Sequence, residues 1–432
     1  MPSPLIKNLD IDLRGEFPPV NKDLAAKAVQ LVVWVDDVPL GTRLFNACDL
    51  PIASDELREI AIETALPAIG WHLFGSEFKA GFACRSPSIE NGVDLEPIVK
   101  LDKPLSHLVD VLAGQKDRIK RKSISIVMCT RDRPEKIDRS LASLVRLAPA
   151  ADEIILVDNA PSTYATREIS QKYKGVQYIL EPRPGLSIAR NTGLRACSGE
   201  IIAFTDDDVS VPPAWIAHIE AAFSSKDIMA ITGIVFSDEM RTESQAIFHH
   251  LLGWGLGDMH PVVYDNNFIE ATRHKGAPCW EIGAGANMAF RRSVFDVVGL
   301  FDERLGAGAA GCSEDSNMWY RILVAGYSCR YDPTVYVHHE HRTSMEQLHR
   351  QIRAYMRGHV VALLIQGRTH RDIGCYRRLL TELPWHLGQR FLRGAFHAFK
   401  GEYGLVSSEI AGYLTGFVWY LRYRGRPSVS AP

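Results

Sequence analysis

The stretch EIIAFTDDDVSVPP, residues 200–213, joins an apolar run to three consecutive carboxylates and then to two prolines. The apolar residues predict a buried strand, which the prolines would end. Three carboxylates this close repel one another and raise one another's pKa unless a cation or several hydrogen-bond donors face them. The triplet Asp206–Asp208 therefore indicates either a solvated turn or a bound cation, and its position in the fold decides between the two.

The segments around this strand alternate between strand and helix patterns at short intervals. Strand patterns occur at residues 123–130, 152–159, 176–181 and 200–208, and helical patterns lie between them. This alternation is typical of βαβ units, which form a mostly parallel sheet with helices on both faces. Such a sheet binds ligands at the carboxyl ends of its strands, so the sequence predicts an α/β fold with a site at that edge.

Polar side chains gather at the predicted edge. Thr130 and Arg131 end the first strand, Asp158 and Asn159 end the second, and the acidic triplet ends the fourth. Magnesium and manganese are usually held by one or two carboxylates, while substrate phosphates and water complete the shell. An acidic triplet before two prolines is more often a solvated turn, but its place at the ligand edge favours a metal-diphosphate site.

A diphosphate also needs positive charge from the protein. Arg183 and Arg190 flank a Pro-Gly turn and the start of a helix, whose N-terminus adds a positive dipole. Arg131 and Arg133 follow the first strand. Each arginine alone is typical of a surface, but several at one edge indicate an anion site.

Residues 123–345, approximately, resemble the family-2 glycosyltransferases, which have the GT-A fold. Six motifs carry the resemblance in order: IVMCTRDRPEKI, EIILVDNA, RPGLSIARNTGL, IIAFTDDDV, GANMAFRRSVFDVVGLFDERL and SEDSNMWYRILVAGY. The resemblance implies a metal-dependent, inverting enzyme that moves a sugar from a nucleotide-diphosphate donor to the hydroxyl of a glycan or lipid-linked acceptor. It also implies Mn²⁺ or Mg²⁺ as cofactor and a UDP-, GDP- or dTDP-linked donor. The motif CTRDR departs from the commonest pattern, so the nucleotide stays open.

The resemblance assigns roles to individual residues. Thr130 and Asp158 match positions that hold the nucleotide base, Arg190 matches an arginine near the base or diphosphate, and Asp207 would face the ribose. The residues predicted to bind the nucleotide are Thr130, Arg131, Asp158, Asn159, Arg183, Arg190, Asp206 and Asp207. Asp208, with Asp206 as a helper, would bind the divalent ion.

Glu314 and Asp315 open an amphipathic helix after a glycine-rich loop. The resemblance implies that one of the two is the catalytic base, and we favour Asp315. Acids also suit the first turn of a helix, which Ser313 can cap, and the two roles are compatible. The loop itself, GAGAAG at 306–311, matches the dinucleotide fingerprint but does not follow a buried strand, so we expect a flexible cover over the acceptor instead.

Two further segments contain candidate site residues. The segment VYVHHEHRTS offers His338, His339 and His341, of which His341 is predicted to bind the metal or the leaving group; packed or surface histidines are individually commoner. The segment CWEIGAGANMAF is predicted to line the acceptor side of the sugar pocket through Trp280, Gly285 and Asn287. A core tryptophan is an equally good interpretation of Trp280.

The sequence predicts that the chain has three parts. Residues 1–120 form a small α+β domain of open role, with a hairpin that turns at Asp36-Asp37 and a helix over 54–74; residues 121–345 form the catalytic domain. The charged run 116–123 indicates a linker, and because no aromatic residues interleave with its charges we expect no nucleic-acid binding.

Residues 346–432 form a basic, helical C-terminal region. From Arg342 onward there are 14 Lys and Arg against 5 Asp and Glu, whereas the whole chain has a net charge of -2. Basic, aromatic and aliphatic residues interleave in its helices, which favours contact with a membrane interface. The alternative is a helical cap on the catalytic domain with solvated charges.

Composition limits the class of protein. The 432 residues are 46% apolar and 23% charged, which is typical of a folded chain with two domains or one domain with appendages. The eight cysteines form no CxxC pair, the N-terminus lacks a signal-peptide pattern, and no apolar run reaches the roughly 18–20 residues that span a bilayer. We expect a cytoplasmic protein, peripheral on the inner face of the membrane.

Two other functions compete with the glycosyltransferase hypothesis. A sugar nucleotidylyltransferase would use a similar sheet and metal, but it needs a glycine-rich basic loop after the first strand, where this chain has CTRDRPEK. A catalytically inactive glycan-binding or scaffold protein is the other alternative. The intact acidic triplet and the Glu-Asp pair argue against it.

Overall fold

The computed structural model describes residues 5–22, 26–75, 103–116, 121–238, 240–252 and 259–425. The strands are β1 Ile6–Asp12, β2 Ala28–Val35, β3 Val38–Asn46, β4 Ile124–Thr130, β5 Glu153–Asn159, β6 Val176–Glu181, β7 Ile201–Asp206, β8 Val209–Ser210, β9 Ile228–Thr232, β10 Val235–Ser237, β11 Val262–Tyr264, β12 Asn287–Arg291, β13 Ser328–Tyr331 and β14 Val337–His339. The helices are α1 Ser54–Phe74, α2 Pro104–Lys116, α3 Pro134–Leu144, α4 Ala165–Ser170, α5 Leu186–Ala196, α6 Trp215–Ala222, α7 Glu243–Leu252, α8 Asn266–Thr272, α9 Val294–Val298, α10 Glu314–Val324, α11 Met345–Thr369, α12 Ile373–Arg377, α13 Leu383–Phe396 and α14 Val406–Tyr423.

Eight strands form the central sheet, in the order β11-β13-β9-β12-β7-β4-β5-β6. The four strands from β7 to β6 are parallel, and β12 runs antiparallel between β7 and β9. Successive residues of β4 face opposite sides: Ile126 packs into a core with Ile137 of α3, and Val127 into a second core with Ala189 of α5. The predicted α/β architecture, a mostly parallel sheet with flanking helices, is confirmed.

A small sheet of β10, β14 and β8 stands next to the acidic triplet. Strand β14 pairs in parallel with β10 and antiparallel with β8, so that His339 lies opposite Val209. Strand β7 ends at Asp206, and Asp207 and Asp208 form the turn into β8. The register therefore brings the predicted histidine segment beside the triplet.

The N-terminal region is a three-stranded sheet covered by α1 and α2. Strand β1 pairs in parallel with β2, and β2 and β3 form the predicted hairpin, whose turn has Asp36 at a φ of 53°. The predicted helix over 54–74 is α1. The core of this region includes Phe236 and Tyr336 from the catalytic part, whose rings lie 5.5 and 5.0 Å from that of Trp34.

The C-terminal region is helical, as expected. Helix α11 begins after Ser344, whose hydroxyl accepts from the Gln347 amide, and packs along α14. The two helices approach closely because Gly412 and Gly416 have no Cβ, which would lie 2.5 Å from Arg353 O and 2.7 Å from Val360. Within the described residues, none of the helices combines the length and the apolar character that crossing a bilayer requires.

The predicted linker, 116–123, lies in large part outside the described residues. Arg121, which does lie within them, pairs with Glu220 at 2.7 Å and with Asp152 at 3.2 Å, so this end of the segment is fixed to the catalytic sheet. The division of the chain at residues 120 and 345 stays a prediction.

Candidate active site

The three carboxylates of the acidic triplet pair with two different arginines. Arg133 donates to Asp207 and to Asp208, each at 2.6 Å, and the Thr130 hydroxyl donates to Asp207 at 2.7 Å. Asp206 instead accepts from Arg190 at 3.3 Å. In an extended strand Asp206 and Asp208 would lie on the same side, but the strand ends at Asp206, so this alternation does not apply to the triplet.

Burial and charge separate the pKa values of the two carboxylates in the turn. Burial, followed by the charge of Asp208, raises the pKa of Asp207 to about 7. Burial also acts to raise the pKa of Asp208, but His339 and Arg133 outweigh it and hold that pKa well below its ordinary value. Asp208 is therefore the carboxylate that stays ionised, while Asp207 titrates near neutrality.

Replacing Arg133 by glutamine is expected to lower the melting temperature more at pH 8 than at pH 5. In the wild type the raised pKa of Asp207 already costs stability as pH rises from about 4 to about 7, because the folded state binds the additional proton. Without the guanidinium the pKa of both carboxylates rises further and the loss grows. We expect the extra loss at pH 8 to be at least about 1 °C, which corresponds to about 1 kcal/mol in a chain of this size.

Arg131 provides the matched control, because its side chain is 50% exposed and its carboxylate neighbour is Asp132, at 4.0 Å. Thermal melts of Arg131→Gln should show the wild-type pH dependence. Equal pH dependence in both variants would contradict the role of Arg133 as the counter-ion of the triplet.

The structure places His339, rather than His341, against the triplet. Nε2 of His339 lies 3.1 Å from Oδ1 of Asp208. His341 lies behind it, with Nδ1 2.8 Å from Nδ1 of His339 and Nε2 2.6 Å from the Ser237 hydroxyl. Burial lowers the pKa of His341 to about 3, whereas Asp208 outweighs burial and raises the pKa of His339. His338 faces the other side of β14 and stacks on Phe236.

The second predicted strand end contains a group of buried polar residues. Asp158 is fully buried, and its Oδ2 accepts from the Tyr178 hydroxyl at 2.9 Å. Its Oδ1 is buried and has no hydrogen-bond partner within the described residues, and burial raises the pKa of this carboxyl group. Asn159 donates to Arg183 O and accepts from the Gly185 amide, which fixes the turn before α5.

The predicted arginines occupy different environments. The Arg183 side chain is 57% exposed and forms two hydrogen bonds with Glu181, at 2.9 and 3.0 Å. Arg190 is buried and contacts three groups: Glu314 at 2.6 Å, Gly285 O at 3.1 Å and Asp206. Arg190 thereby connects the triplet to Glu314 and Asp315, one of which is the predicted catalytic base.

Glu314 and Asp315 are both buried at the start of α10. Burial raises the pKa of Glu314 to about 7 even with Arg190 beside it. Burial also raises the pKa of Asp315, which accepts from the Gly285 amide at 2.8 Å and from the Ser316 amide at 2.6 Å. Ser313 precedes the helix with a φ of 69°, but its side chain makes no capping hydrogen bond.

The three residues predicted to line the acceptor pocket lie in different surroundings. Gly285 lies at the centre of the site, where a Cβ would approach Arg190 and Asp315 to 3.1 and 3.2 Å. Trp280 is half-buried, with the Arg378 guanidinium 4.0 Å from its ring centroid. Asn287 is fully buried; its side-chain amide donates to Ile234 O and Val335 O and accepts from Trp215, so it connects β12 to the loops before β10 and β14 and to α6.

The glycine-rich loop is held on several sides. Ala307 O accepts from the Leu186 amide at the start of α5, and Ala310 O accepts from Arg357 of α11 at 2.6 Å. Ala310 is fully buried, and a Cβ on Gly311 would lie 2.4 Å from Ala354 O. These contacts connect the loop to α5 and to the C-terminal helix α11, whereas the sequence predicted a flexible cover over the acceptor.

The side chains around Asp208 could hold a divalent ion whose remaining ligands come from a bound phosphate and from water. The 3.1 Å between Asp208 Oδ1 and His339 Nε2 is close to the separation of adjacent ligands, about 3 Å, in an octahedron with bonds of about 2.1 Å. Among the described residues, no three His, Cys, Asp or Glu side chains form a group that could hold an ion alone. An ion held by Asp208 and His339 would therefore need phosphate and water to complete its shell, as in sites where one or two carboxylates hold Mg²⁺.

Sequence reasoning did not single out Arg133, His339 and Tyr178 as the contacting residues. In CTRDRP only a few residues separate the end of β4 from the start of α3, which keeps Arg133 near the strand end; this was the available signal for Arg133. His339 is selected over its neighbours by the pairing of β14 with β8. Tyr178 reaches Asp158 from β6, the adjacent strand, and alternation along β6 gave no reason to prefer it.

Comparison with known proteins gives the following matches. Residues 125–299 match the sequence profile of the family described as glycosyl transferase family 2. A pre-mycofactocin glycosyltransferase of Mycobacterium tuberculosis is 24% identical over 229 residues, which are 52% of this chain and 44% of that protein. The succinoglycan biosynthesis protein ExoM of Rhizobium meliloti is 26% identical over 261 residues, 57% of this chain and 76% of that protein.

One of the similar solved structures is the mannosyltransferase PcManGT of Pyrobaculum calidifontis, in complex with GDP-Man and Mn²⁺. It is 16% identical, the match covers 70% of this chain and 88% of that one, and the TM-score is 0.49. The chain thus spans less than half the length of the mycobacterial relative and most of the length of the other two.

Proposed function

We propose that the protein, whose residues 125–299 match the family-2 glycosyltransferases, transfers a sugar, with inversion, from a nucleotide-diphosphate donor to an acceptor hydroxyl. The observation that carries the proposal is the Arg190 bridge. One buried guanidinium binds Asp206, at the predicted diphosphate site, and Glu314, beside the predicted base. The two halves of a transferase site, donor and base, are therefore held at a fixed separation.

The nucleoside would lie over the ends of β4 and β5. Asp158 offers an unpartnered buried oxygen, which is an acceptor for an N–H group of a nucleotide base. Asp207, held by Thr130 and Arg133, would accept from the ribose hydroxyls. A donor hydrogen bond at Asp158 would remove the cost of its orphaned atom, which is about 1–3 kcal/mol for a buried polar group.

Asp208 and His339 would hold a divalent ion, with Asp206 at the exposed side of the same turn. When bound, such an ion stabilises the negative charge that develops on the departing diphosphate. Arg133 keeps Asp208 ionised, and Arg190 positions Asp206. The side chains thus present negative charge to an ion and positive charge to the phosphates.

The transfer step needs a base for the acceptor hydroxyl. Asp315 would take that proton while the hydroxyl oxygen bonds to the anomeric carbon and the bond from that carbon to the diphosphate oxygen breaks. Burial raises the pKa of Asp315, which makes it a stronger proton acceptor than an ordinary aspartate. Glu314 is held by Arg190 and would position the site, although its raised pKa keeps it as the alternative base.

A screen of nucleotide sugars tests the proposal. The full chain is incubated with UDP-, GDP- and dTDP-linked sugars, with Mn²⁺ or with EDTA, and both binding and slow donor hydrolysis are followed. We expect one donor to bind and to be hydrolysed in a metal-dependent manner. If a glycan binds while no donor binds under any condition, the non-catalytic glycan-binding alternative is favoured.

We also propose that the C-terminal helices contact an anionic membrane surface, which would present a lipid-linked acceptor. Of the 18 large apolar side chains exposed in the described part of the chain, 11 lie between Ile373 and Leu421; they are called the C-terminal apolar surface. Phe396 is 89% and Trp385 69% exposed. Concentrated exposed apolar side chains mark interaction surfaces, and the basic excess of this region suits anionic lipid.

Replacing Trp385 and Phe396 together by glutamate is expected to lower vesicle binding about tenfold or more, because two apolar anchors are lost and two negative charges are added. The measurement is co-sedimentation with phosphatidylserine-containing vesicles and with pure phosphatidylcholine vesicles. Val297→Glu, at a 52% exposed position in α9, is the control and should bind like wild type. A wild-type protein that binds neither vesicle type would favour the alternative of a helical cap.

A further inference from the structure

A chain of hydrogen bonds runs from the triplet into the interior of the protein. It passes from Asp208 to His339, then to His341 at 2.8 Å and to the Ser237 hydroxyl at 2.6 Å, and it ends at Nδ1 of His249, 3.0 Å from that hydroxyl. We call His339, His341, Ser237 and His249 the histidine chain. His249 is contributed by helix α7, which takes no other part in the site described above.

Packing holds the members of the histidine chain in place. Ser237 of β10 pairs with His339 of β14, and the Phe248 ring lies 4.6 Å from that of His341. Gln245 of α7 donates to His341 O at 3.0 Å. Helix α7 and the small sheet thus fix the chain from both sides.

The inner end of the histidine chain faces a cavity of about 30 Å³ between β10 and the N-terminal sheet, lined in part by Asn8, Gln30 and His249. Nε2 of His249 and Oε1 of Gln30 are both buried, and neither has a partner within the described residues. A water molecule needs about 10–15 Å³ of such space, so the cavity can hold one or two. A water there can accept from His249 and donate to Gln30.

A neutral imidazole carries one ring proton, so the proton on His341 decides two of the three hydrogen bonds within the histidine chain. Either His339 donates to His341 and His341 donates to Ser237, or Ser237 donates to His341 and His341 donates to His339. An imidazole that binds an ion through Nε2 carries its proton on Nδ1. With an ion on His339, only the first arrangement is possible: His339 donates to His341 and His341 donates to Ser237, while the hydrogen bond between Ser237 and His249 can run in either direction.

We propose that His341, Ser237 and His249 are positioning residues that hold His339 with the Nε2 lone pair directed at the ion-diphosphate site. The inference rests on the proposed function, because it assigns the orientation of a residue at that site. The N-terminal sheet takes part by closing the cavity, and Asn8 donates to Ser237 O at 3.0 Å. This gives the N-terminal region a specific connection to the chemistry.

Mn²⁺ binding to the full chain tests the proposal, with free Mn²⁺ measured by electron paramagnetic resonance in the presence of UDP or GDP. His341→Phe removes the acceptor for His339 and should weaken Mn²⁺ binding about 10–100-fold. His341→Asn keeps an oxygen acceptor near the position of Nδ1 and should bind close to wild type. Ser237→Ala should weaken binding and Ser237→Thr should restore it.

A second measurement covers variants that fold poorly. The ¹⁵N chemical shifts of selectively labelled histidine report which ring nitrogen carries the proton, and His339→Gln identifies the His339 signals. We expect Nδ1 of His339 to be protonated in the wild type with Mn²⁺ bound. A bound His339 that is protonated on Nε2 would overturn the proposal even if every variant at His341 unfolds.

The outcomes separate this inference from the proposed function. If Asp208→Asn abolishes Mn²⁺ binding while His341→Phe binds like wild type, the positioning role is wrong and the ion site stands. If the wild type and Asp208→Asn bind Mn²⁺ equally, both the ion site and the role of the histidine chain are wrong. If His341→Phe and His341→Asn lose the same affinity, the loss reflects packing, and the positioning role is again wrong.

Discussion

Asp315→Asn is expected to lower kcat about 10²–10⁴-fold, the usual contribution of a general base, and to leave donor binding unchanged. Asparagine has nearly the same shape, and its one side-chain oxygen can still accept from the Gly285 amide, although the hydrogen bond from the Ser316 amide is lost. It cannot take a proton from the acceptor hydroxyl. Initial rates with saturating donor, together with donor titration calorimetry, measure the two quantities separately.

Two comparisons make the Asp315 experiment decisive. Asp302→Asn removes another buried aspartate, which pairs with Arg304 at 2.6 Å; it should lower stability but not the rate per folded molecule. Glu314→Gln removes the negative charge that pairs with Arg190 and should weaken donor binding as well as the rate. If Glu314→Gln abolishes turnover with donor still bound and Asp315→Asn remains active, the base is Glu314 instead.

The pH dependence of kcat should follow the same carboxylate. The base must be ionised to accept the proton, and burial raises its pKa, so kcat should rise with pH through a range above the ordinary aspartate value of about 3.9. A rise that ends near or below pH 4 would contradict this assignment.

Asp208→Asn is expected to remove the response of donor binding to Mn²⁺ and to lower kcat/KM about 10²-fold or more, since an ion contributes several kcal/mol to charge stabilisation. The carboxylate that stays ionised is lost, and Arg133 keeps Asp207 as its partner. Donor titrations with Mn²⁺ and with EDTA measure the effect.

Asp206→Asn is the matched comparison for Asp208, because Asp206 is more exposed and contacts Arg190. Its response to Mn²⁺ should be weakened but retained. Donor binding that depends equally on Mn²⁺ in Asp208→Asn and in the wild type would disprove the proposed ion site.

The sequence predicted the parts of this site that depend on local pattern. The apolar runs that become β4, β5 and β7 are visible because each is buried on both faces and ends in polar residues, and their observed bounds differ from the predicted ones by a few residues at most. Helix α1 matches its predicted limits because a Ser-Asp start and helical periodicity mark it clearly.

The parts that failed depend on turns and on distant pairing. The three aspartates look equivalent in sequence, but the strand ends after the first of them, and the turn sends Asp206 to one arginine and Asp207 and Asp208 to another. The selection of His339 over His341 depends on the register of β14 against β8, more than 120 residues earlier. No pattern within either segment contains that information.

The acceptor side shows the same limit. Trp280 was predicted either to stack on a sugar or to pack in the core, but its ring carries the guanidinium of Arg378, which belongs to the C-terminal region. His359 of α11 lies edge-on to the same ring at 4.7 Å. A contact between residues about 80–100 positions apart cannot be deduced from the composition around either of them.

The core shared by Trp34, Phe236 and Tyr336 has a consequence for how the protein unfolds. The matched family region begins at residue 125, yet Phe236 within it and Tyr336 beyond it complete the core of the N-terminal sheet. The start of the family match is therefore not expected to separate two parts that unfold independently. The N-terminal sheet and the small sheet that bears the histidine chain should lose structure in a single transition. A shortened chain that began at the family boundary would expose these rings to water and favour aggregation.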